Sequence, residues 1–334
     1  MAKTSFNVYR LHFTTPVHLG DSREDYSKSY VTMSSDAMYA AITACLAKIG
    51  EKIPDDGDLG CAISDLFPYY QKQAENAKPI YFLPRPLYQR LPQLKDISKA
   101  KSIKKVKWLD VSYMQKVLNG AALFDGDGKD LDDIQGDYLC HEKINSKFIT
   151  SQVSERVTIT RNYSEDAVPF YMERVSFAEQ SGLYFLSTGN GELIEKGLNI
   201  LQNEGLGTDR SVGNGFFEYF IDKIELELPV DKDYVVSLSH FIPESEGQLK
   251  EMISDKKSAY ILERRGGWIT SNPKFSVRKN VIYLFQSGSV FHYKTDSWTS
   301  LGRIVDLCPK LPDSMAIGHP VWRCGRSILL PIDL

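Results

Sequence analysis

The stretch Gly205-Leu206-Gly207-Thr208-Asp209-Arg210-Ser211-Val212-Gly213-Asn214-Gly215 most narrows what this chain of 334 residues can form. It follows a segment, about 192–203, whose Leu193, Ile194, Leu198 and Leu201 recur at helical spacing, and Gly205 is placed to end that helix. Phe216, Phe217, Tyr219 and Ile221 then open a strand running to Leu228. Helix, glycine loop, strand is the reverse of the dinucleotide-binding order, in which the glycines precede the helix so that its N-terminus meets the pyrophosphate. Arg210 also stands where the third glycine of that fingerprint belongs, and no G-x-x-x-x-G-K-S/T sequence occurs. NAD-binding and P-loop readings are therefore rejected. Such a loop can bring backbone N–H groups close to an extended anion while the Arg210 guanidinium forks onto a phosphate, which suits a sugar-phosphate backbone. The plainer reading is a long surface turn whose glycines only satisfy backbone angles.

Around this loop the chain alternates strands and helices. Phe6–Phe13 alternates apolar and polar residues as a half-buried strand does, a loop covers 14–33, and Ser34 or Ser35 can cap a helix carrying Met38, Ile42, Cys45, Leu46 and Ile49, with Gly50 placed to end it. Residues 80–83 read as a short strand, with Pro84 and Pro86 arguing against its continuing as a central one. From about 88 to 150 the pattern weakens: six lysines fall between Lys95 and Lys107 and six aspartates between Asp125 and Asp137, which reads as an inserted, surface-exposed subdomain. Residues 153–161 alternate as a strand, with Val157, Ile159 and Arg161 on one face and Arg156, Thr158 and Thr160 on the other. Gly182–Thr188 is a further strand. After Pro229, strands are predicted near 234–242, 258–263, 281–285, 289–293 and 326–332, with a helix near 247–253. Two α+β halves with a boundary near 229 follow, in a chain long enough to bury at least one sizeable core.

Composition bounds the chemistry. With 42% hydrophobic and 25% charged residues the chain is of folded, soluble type, and neither a signal-peptide core nor an 18-residue apolar span is present, so neither secretion nor membrane spanning is expected. Five separated cysteines without a C-x-x-C pair signal neither disulfides nor zinc and fit a reducing cytoplasm. The six histidines form no H-x-x-x-H pair, and Asp125-Gly-Asp127-Gly-Lys129 departs from an EF-hand loop at several ligand positions, so no metal and no cofactor are expected. A net charge of −3 disfavours a bulk electrostatic nucleic-acid binder, but 229–334 holds 14 basic against 11 acidic residues, whereas 1–228 holds 26 against 32.

Leu11–Gly20, the Ser34-Ser35-Asp36 helix start, Ile63–Pro68, Phe82–Leu87, Gly207–Gly215 and Pro320–Arg326, taken in order along almost the whole chain, resemble the RAMP superfamily of CRISPR proteins, and within it the fourth Csm subunit of type III-A effector complexes. The resemblance implies an α+β fold of tandem ferredoxin-like (RRM-like) domains, 1–228 and 229–334, with a thumb inserted at about 88–160. It implies a non-catalytic cap that holds the repeat-derived 5′ tag of the CRISPR RNA, docks the large signalling and DNase subunit, and starts the filament of backbone RAMP subunits. Carried over by position, Gly207, Asp209, Arg210, Ser211, Gly213 and Gly215 would track the tag, with His18 and the loop to Arg23 beside them and Arg156 and Arg161 as further contacts. Thr208 stands where relatives often carry a basic residue. Asp209 would repel a phosphate, so it is expected to orient Arg210 or to bond the loop's own N–H groups.

Two rival readings share this superfamily. One is a metal-independent repeat endoribonuclease using His18 as general acid or base, for which no sequence-local partner is evident. The other is the equivalent type III-B subunit, which differs mainly in its partners.

Overall fold

The structure, a computed structural model, describes residues 2–20, 25–74, 76–89, 100–124, 129–158, 166–178, 180–272, 274–295 and 300–334. Its organising element is the strand Ala2–Phe13. On one side this strand pairs antiparallel with Phe217–Leu228 over all twelve residues, from Ala2 opposite Leu228 to Phe13 opposite Phe217. On the other it pairs with Gly182–Gly189, which in turn pairs with Cys61–Ile63 and Phe67–Tyr70.

Alternation along these strands sorts their side chains onto two faces. Tyr9, Leu11, Leu183 and Phe185 meet the helices Ser35–Lys48 and Gly191–Glu204 through Met38, Ile42, Leu46, Ile194, Leu198 and Leu201. Phe6, Val8, Tyr184 and Leu186 face the other way, against the helix Val111–Leu118 and against Val236, Val290, Leu330 and Ile332 of the C-terminal half. The same sheet is thus covered on both sides, and the two halves share a core.

The segment expected as an exposed insertion is different in kind. The strand Ile80–Pro84 is paired on both edges, with Phe67–Tyr70 and with Trp108–Asp110, and Tyr138–Leu139 and Ile134–Gln135 extend the sheet further. Ile103, Val106, Leu109, Tyr113, Met114 and Leu118 lie in the main core. Short apolar runs hidden among lysines and aspartates account for the misreading, because burial here depends on a few residues per element. What does stand apart is the ribbon Ile149–Thr158 with Val168–Phe177, ten residue pairs tied back to the first half, among the described residues, by the bridge of Val17 to Val175 and the bond of Glu173 N to Tyr26 O.

In the C-terminal half, Tyr234–Ser237 lies between Val290–His292 and Leu329–Ile332, and the helix Glu246–Met252 is capped by the Ser245 hydroxyl, which accepts from Gln248 N at 3.2 Å. Leu262–Arg265 pairs with Ile282–Phe285 as a separate ribbon. The first strand here ends earlier than the sequence predicts because Ser237 Oγ bonds the Ser239 carbonyl at 2.7 Å, turning the chain toward the first half.

Candidate nucleic-acid interface

Three segments converge beside the end of the first strand: the loop 14–20, the glycine loop 205–215, and the root of the long ribbon. Gly215 N donates to Pro16 O at 2.8 Å and Thr208 N to His18 O at 2.9 Å, while Val17 and Val175 exchange bonds of 2.9 and 2.8 Å. Gly207 makes the contact between Thr208 and His18 possible. Its φ is +90°, and a Cβ there would collide with the His18 carbonyl.

Asp209 takes a left-handed conformation (φ 56°) and opens a short turn over Arg210–Val212. Its carboxylate lies 3.3 Å from Nη1 of Arg156 on the ribbon, so it pairs across segments and does not orient Arg210. Arg210 instead extends toward Glu204, at 3.7 Å, and the Gly205 carbonyl, at 3.5 Å. Ser211 is exposed, and Gly213, at φ +91°, borders open space. Leu206, Thr208, Val212, Gly213 and Gly215 all use their N–H groups within the protein. The loop main chain is accordingly tied into the protein, and what lies outward here is the Arg210 guanidinium and the Ser211 hydroxyl, with Arg156 of the ribbon beside them.

His18 contributes its backbone to this junction, but its ring is wholly buried. Nδ1 bonds the Glu173 carbonyl at 2.7 Å, and Gly20 packs so closely over Nε2 that a Cβ there would come within 2.7 Å. Arg23 and Arg161 lie outside the described residues. The ribbon supplies residues that the sequence reading missed. Register sets Arg156 opposite Phe170 and Gln152 opposite Arg174, so Arg156, Phe170, Met172 and Arg174 share one face, and Tyr26 stands 5.7 Å from the Phe170 ring. The alternation of Val168–Phe177 carried that signal. Guanidinium groups beside half-buried rings suit a single-stranded nucleic acid, whose phosphates pair with Arg and whose bases stack.

A second concentration of charge lies where the halves meet. His240 Nδ1 is 2.9 Å from Asp65 Oδ2 and its Nε2 is 2.9 Å from Glu263 Oε2. Arg323 reaches the fully buried Asp36 at 2.9 Å, and Arg265 joins Asp36 to Glu263. Burial opposes a charge on His240, yet Asp65 and Glu263 outweigh it and push its pKa up to about 10. For Asp65 burial likewise works upward, and His240 with its hydrogen bonds prevails and holds the carboxyl below its ordinary range. Among the described residues no cluster of His, Cys, Asp or Glu could hold a metal ion, and no helix is long and apolar enough to cross a membrane.

The mixed α+β fold agrees with the class of fold that the sequence resemblance implies. More particularly, residues 230–332 match the family model of the CRISPR Csm4 C-terminal domain. Over 98% of its length the chain is 28% identical to the whole of a CRISPR system Cms protein Csm4 from Streptococcus thermophilus. It is 24% identical over 90% of its length to 91% of the Csm4 of Thermococcus onnurineus (strain NA1). Among solved structures, a chain of a Csm1-Csm4 cassette in complex with cA4 aligns over 99% of both chains with a TM-score of 0.59 and 18% identity. The matching chain of a Csm3-Csm4 subcomplex from the type III-A CRISPR-Cas interference complex aligns over 99% of this chain and all of its own, with a TM-score of 0.54 and 18% identity. At these identities the structures share the fold, and the resemblance to the fourth Csm subunit extends along the whole chain.

Proposed function

We propose that this chain is the non-catalytic subunit of a type III-A effector complex that holds the 5′ repeat-derived tag of the CRISPR RNA. In this reading it docks the large signalling and DNase subunit, adjoins the first backbone RAMP subunit, and works in the cytoplasm. The observation that carries the reading is the junction of three distant segments, in which Gly207 backs onto His18 and Asp209 meets Arg156, beside outward-facing Arg210 and Ser211. The relatives named Csm4, and the Csm1-Csm4 and Csm3-Csm4 assemblies in which similar folds occur, support the partners.

The strand order 217–228, 2–13, 182–189, then 61–70, with a helix after the first and third in sequence, supports reading 1–228 as a ferredoxin-like domain. In 229–334 the order 329–332, 234–237, 290–292, with Ala259 bridged to Val290, supports a second such domain, in which Glu246–Met252 is the one α-helix among the described residues. The long ribbon from Ile149 to Phe177 suits the thumb better than the core-forming 100–140 segment does.

The endoribonuclease alternative needs an imidazole that can reach a 2′-hydroxyl, and His18 is buried with Nδ1 already bonded. The test is fluorescence anisotropy with a labelled tag RNA across a salt series. Wild type should bind with a salt slope that decreases in Arg156→Ala and Arg210→Ala, without cleavage of the RNA. Unchanged affinity and slope in both variants would refute the site.

A further inference from the structure

Beside the helix Glu246–Met252 the C-terminal half carries an open groove of about 450 Å³. Its floor is Phe285 of the local core, and its walls are Leu249 of the helix, Ile253 just past its end, Tyr260, and Leu262 and Tyr283 of the neighbouring ribbon. Two wall residues are far from buried: Leu262 is 52% exposed and Tyr283 59%. Val281, just before the ribbon strand Ile282–Phe285, is exposed as well. Contiguous apolar exposure of this kind marks a site that another molecule covers.

The rim says what covers it. Arg303 lines the groove and Arg264 stands opposite Tyr283 in the ribbon, both exposed and neither in an ion pair among the described residues. The acid at the rim, Glu246, is already paired with Lys250 at 2.7 Å. An apolar floor does not suit a phosphate chain, and a second copy would bring the same two arginines against these. The fitting occupant is a protein segment with an apolar row flanked by carboxylates. A backbone subunit that shares the RNA must meet this chain near the glycine loop and the long ribbon, which lie in the other half.

We propose that this groove is the docking surface for the large subunit of the complex, which inserts apolar side chains between helix 246–252 and the ribbon and sets acidic residues against Arg264 and Arg303. The inference rests on the docking role in the proposed function. Its test is co-expression of the full chain with the large subunit of the same system and measurement of their association by calorimetry, with tag-RNA binding measured in parallel. Leu262→Glu and Tyr283→Glu should each weaken association by about thirtyfold or more, the scale of an interface hot spot, with melting temperature and RNA affinity unchanged. Arg264→Glu with Arg303→Glu should weaken it less and flatten its salt dependence. Wild-type association that survives in all these variants would overturn the groove assignment alone. Failure of the wild-type pair to associate would overturn the docking role with it, and loss of backbone-subunit binding in its place would show the occupant to be misassigned.

Discussion

The glycine-loop junction and the seam between the halves are built from the same groups, guanidinium and carboxylate, yet they differ in what water can reach. Arg156 and Asp209 form one pair at 3.3 Å with about a third of each side chain exposed. At the seam, Asp36 is fully buried and held by Arg323 and Arg265, Glu263 by Arg265 and His240, and Asp65 by His240. An exposed pair contributes about 0–1 kcal/mol, so its arginine can exchange a carboxylate for a phosphate at little cost. A buried, multiply bonded set cannot exchange partners without stranding a charge. Burial, more than residue type, therefore separates the arginines able to bind a ligand from those that hold the fold.

The comparison breaks most visibly at His240. Replacing it with Ala leaves Asp65 and Glu263 without their shared cation in a buried site, and unfolding free energy should fall by about 3–5 kcal/mol in denaturant titrations. Tag-RNA affinity of the folded fraction should stay unchanged. A loss below about 1 kcal/mol would place the seam with the weak surface pairs.

The same imidazole gives a pH test. Its folded pKa is raised from the ordinary 6.5 to about 10, so its contribution is complete below about 6.5 and declines as pH rises toward 10. Melting temperature should drop across that window in wild type, and the drop should be much smaller in His240→Gln. At the acid end the lowered pKa values of Asp36, Asp65 and Glu263 predict the opposite: stability lost as pH falls through the carboxylate range. Equal alkaline losses in wild type and His240→Gln would refute the role given to this residue.

Local elements were legible because they rest on short-range pattern. The helix expected after Ser34 or Ser35 spans Ser35–Lys48, and the one expected from Glu192 spans Gly191–Glu204 with Gly205 at φ +82° closing it. The seam was not legible: Glu263 and Arg265 are near neighbours on one strand, but Asp36, Asp65, His240 and Arg323 come from segments far apart in sequence, and nothing near any of these four names its partner. The buried state of His18 was hidden for the same reason, since Glu173 and Gly20 enclose it only after the ribbon folds back on the loop. The glycine loop lay between these cases. Its position between helix and strand was readable, while the pairing of Asp209 with Arg156 needed the register of a ribbon whose far strand the sequence reading left unassigned.

At the glycine loop the expected effects are smaller and of both signs. Arg210→Ala should weaken tag RNA by about 1–3 kcal/mol, the range for a charge-assisted hydrogen bond, and reduce the salt slope by about one. An unchanged slope would mean that Glu204 and the Gly205 carbonyl already occupy this guanidinium fully.

Asp209→Asn is the finest test of the contrast, because it should improve binding. The carboxylate now stands on Arg156 where a phosphate oxygen would stand, so an RNA must displace it or tolerate its charge. Asparagine accepts the left-handed φ of 56° as readily as aspartate does, which preserves the turn over Arg210–Val212. Removing one exposed counter-charge is worth about 0.4–1 kcal/mol, so affinity should rise by about two- to fivefold and the salt dependence should steepen. Combining it with Arg156→Ala should abolish the gain, since no cation then remains to be released. A gain that persists in the double variant would trace the effect to general repulsion by Asp209, and a loss of binding would show that the Arg156–Asp209 pair positions the loop for RNA.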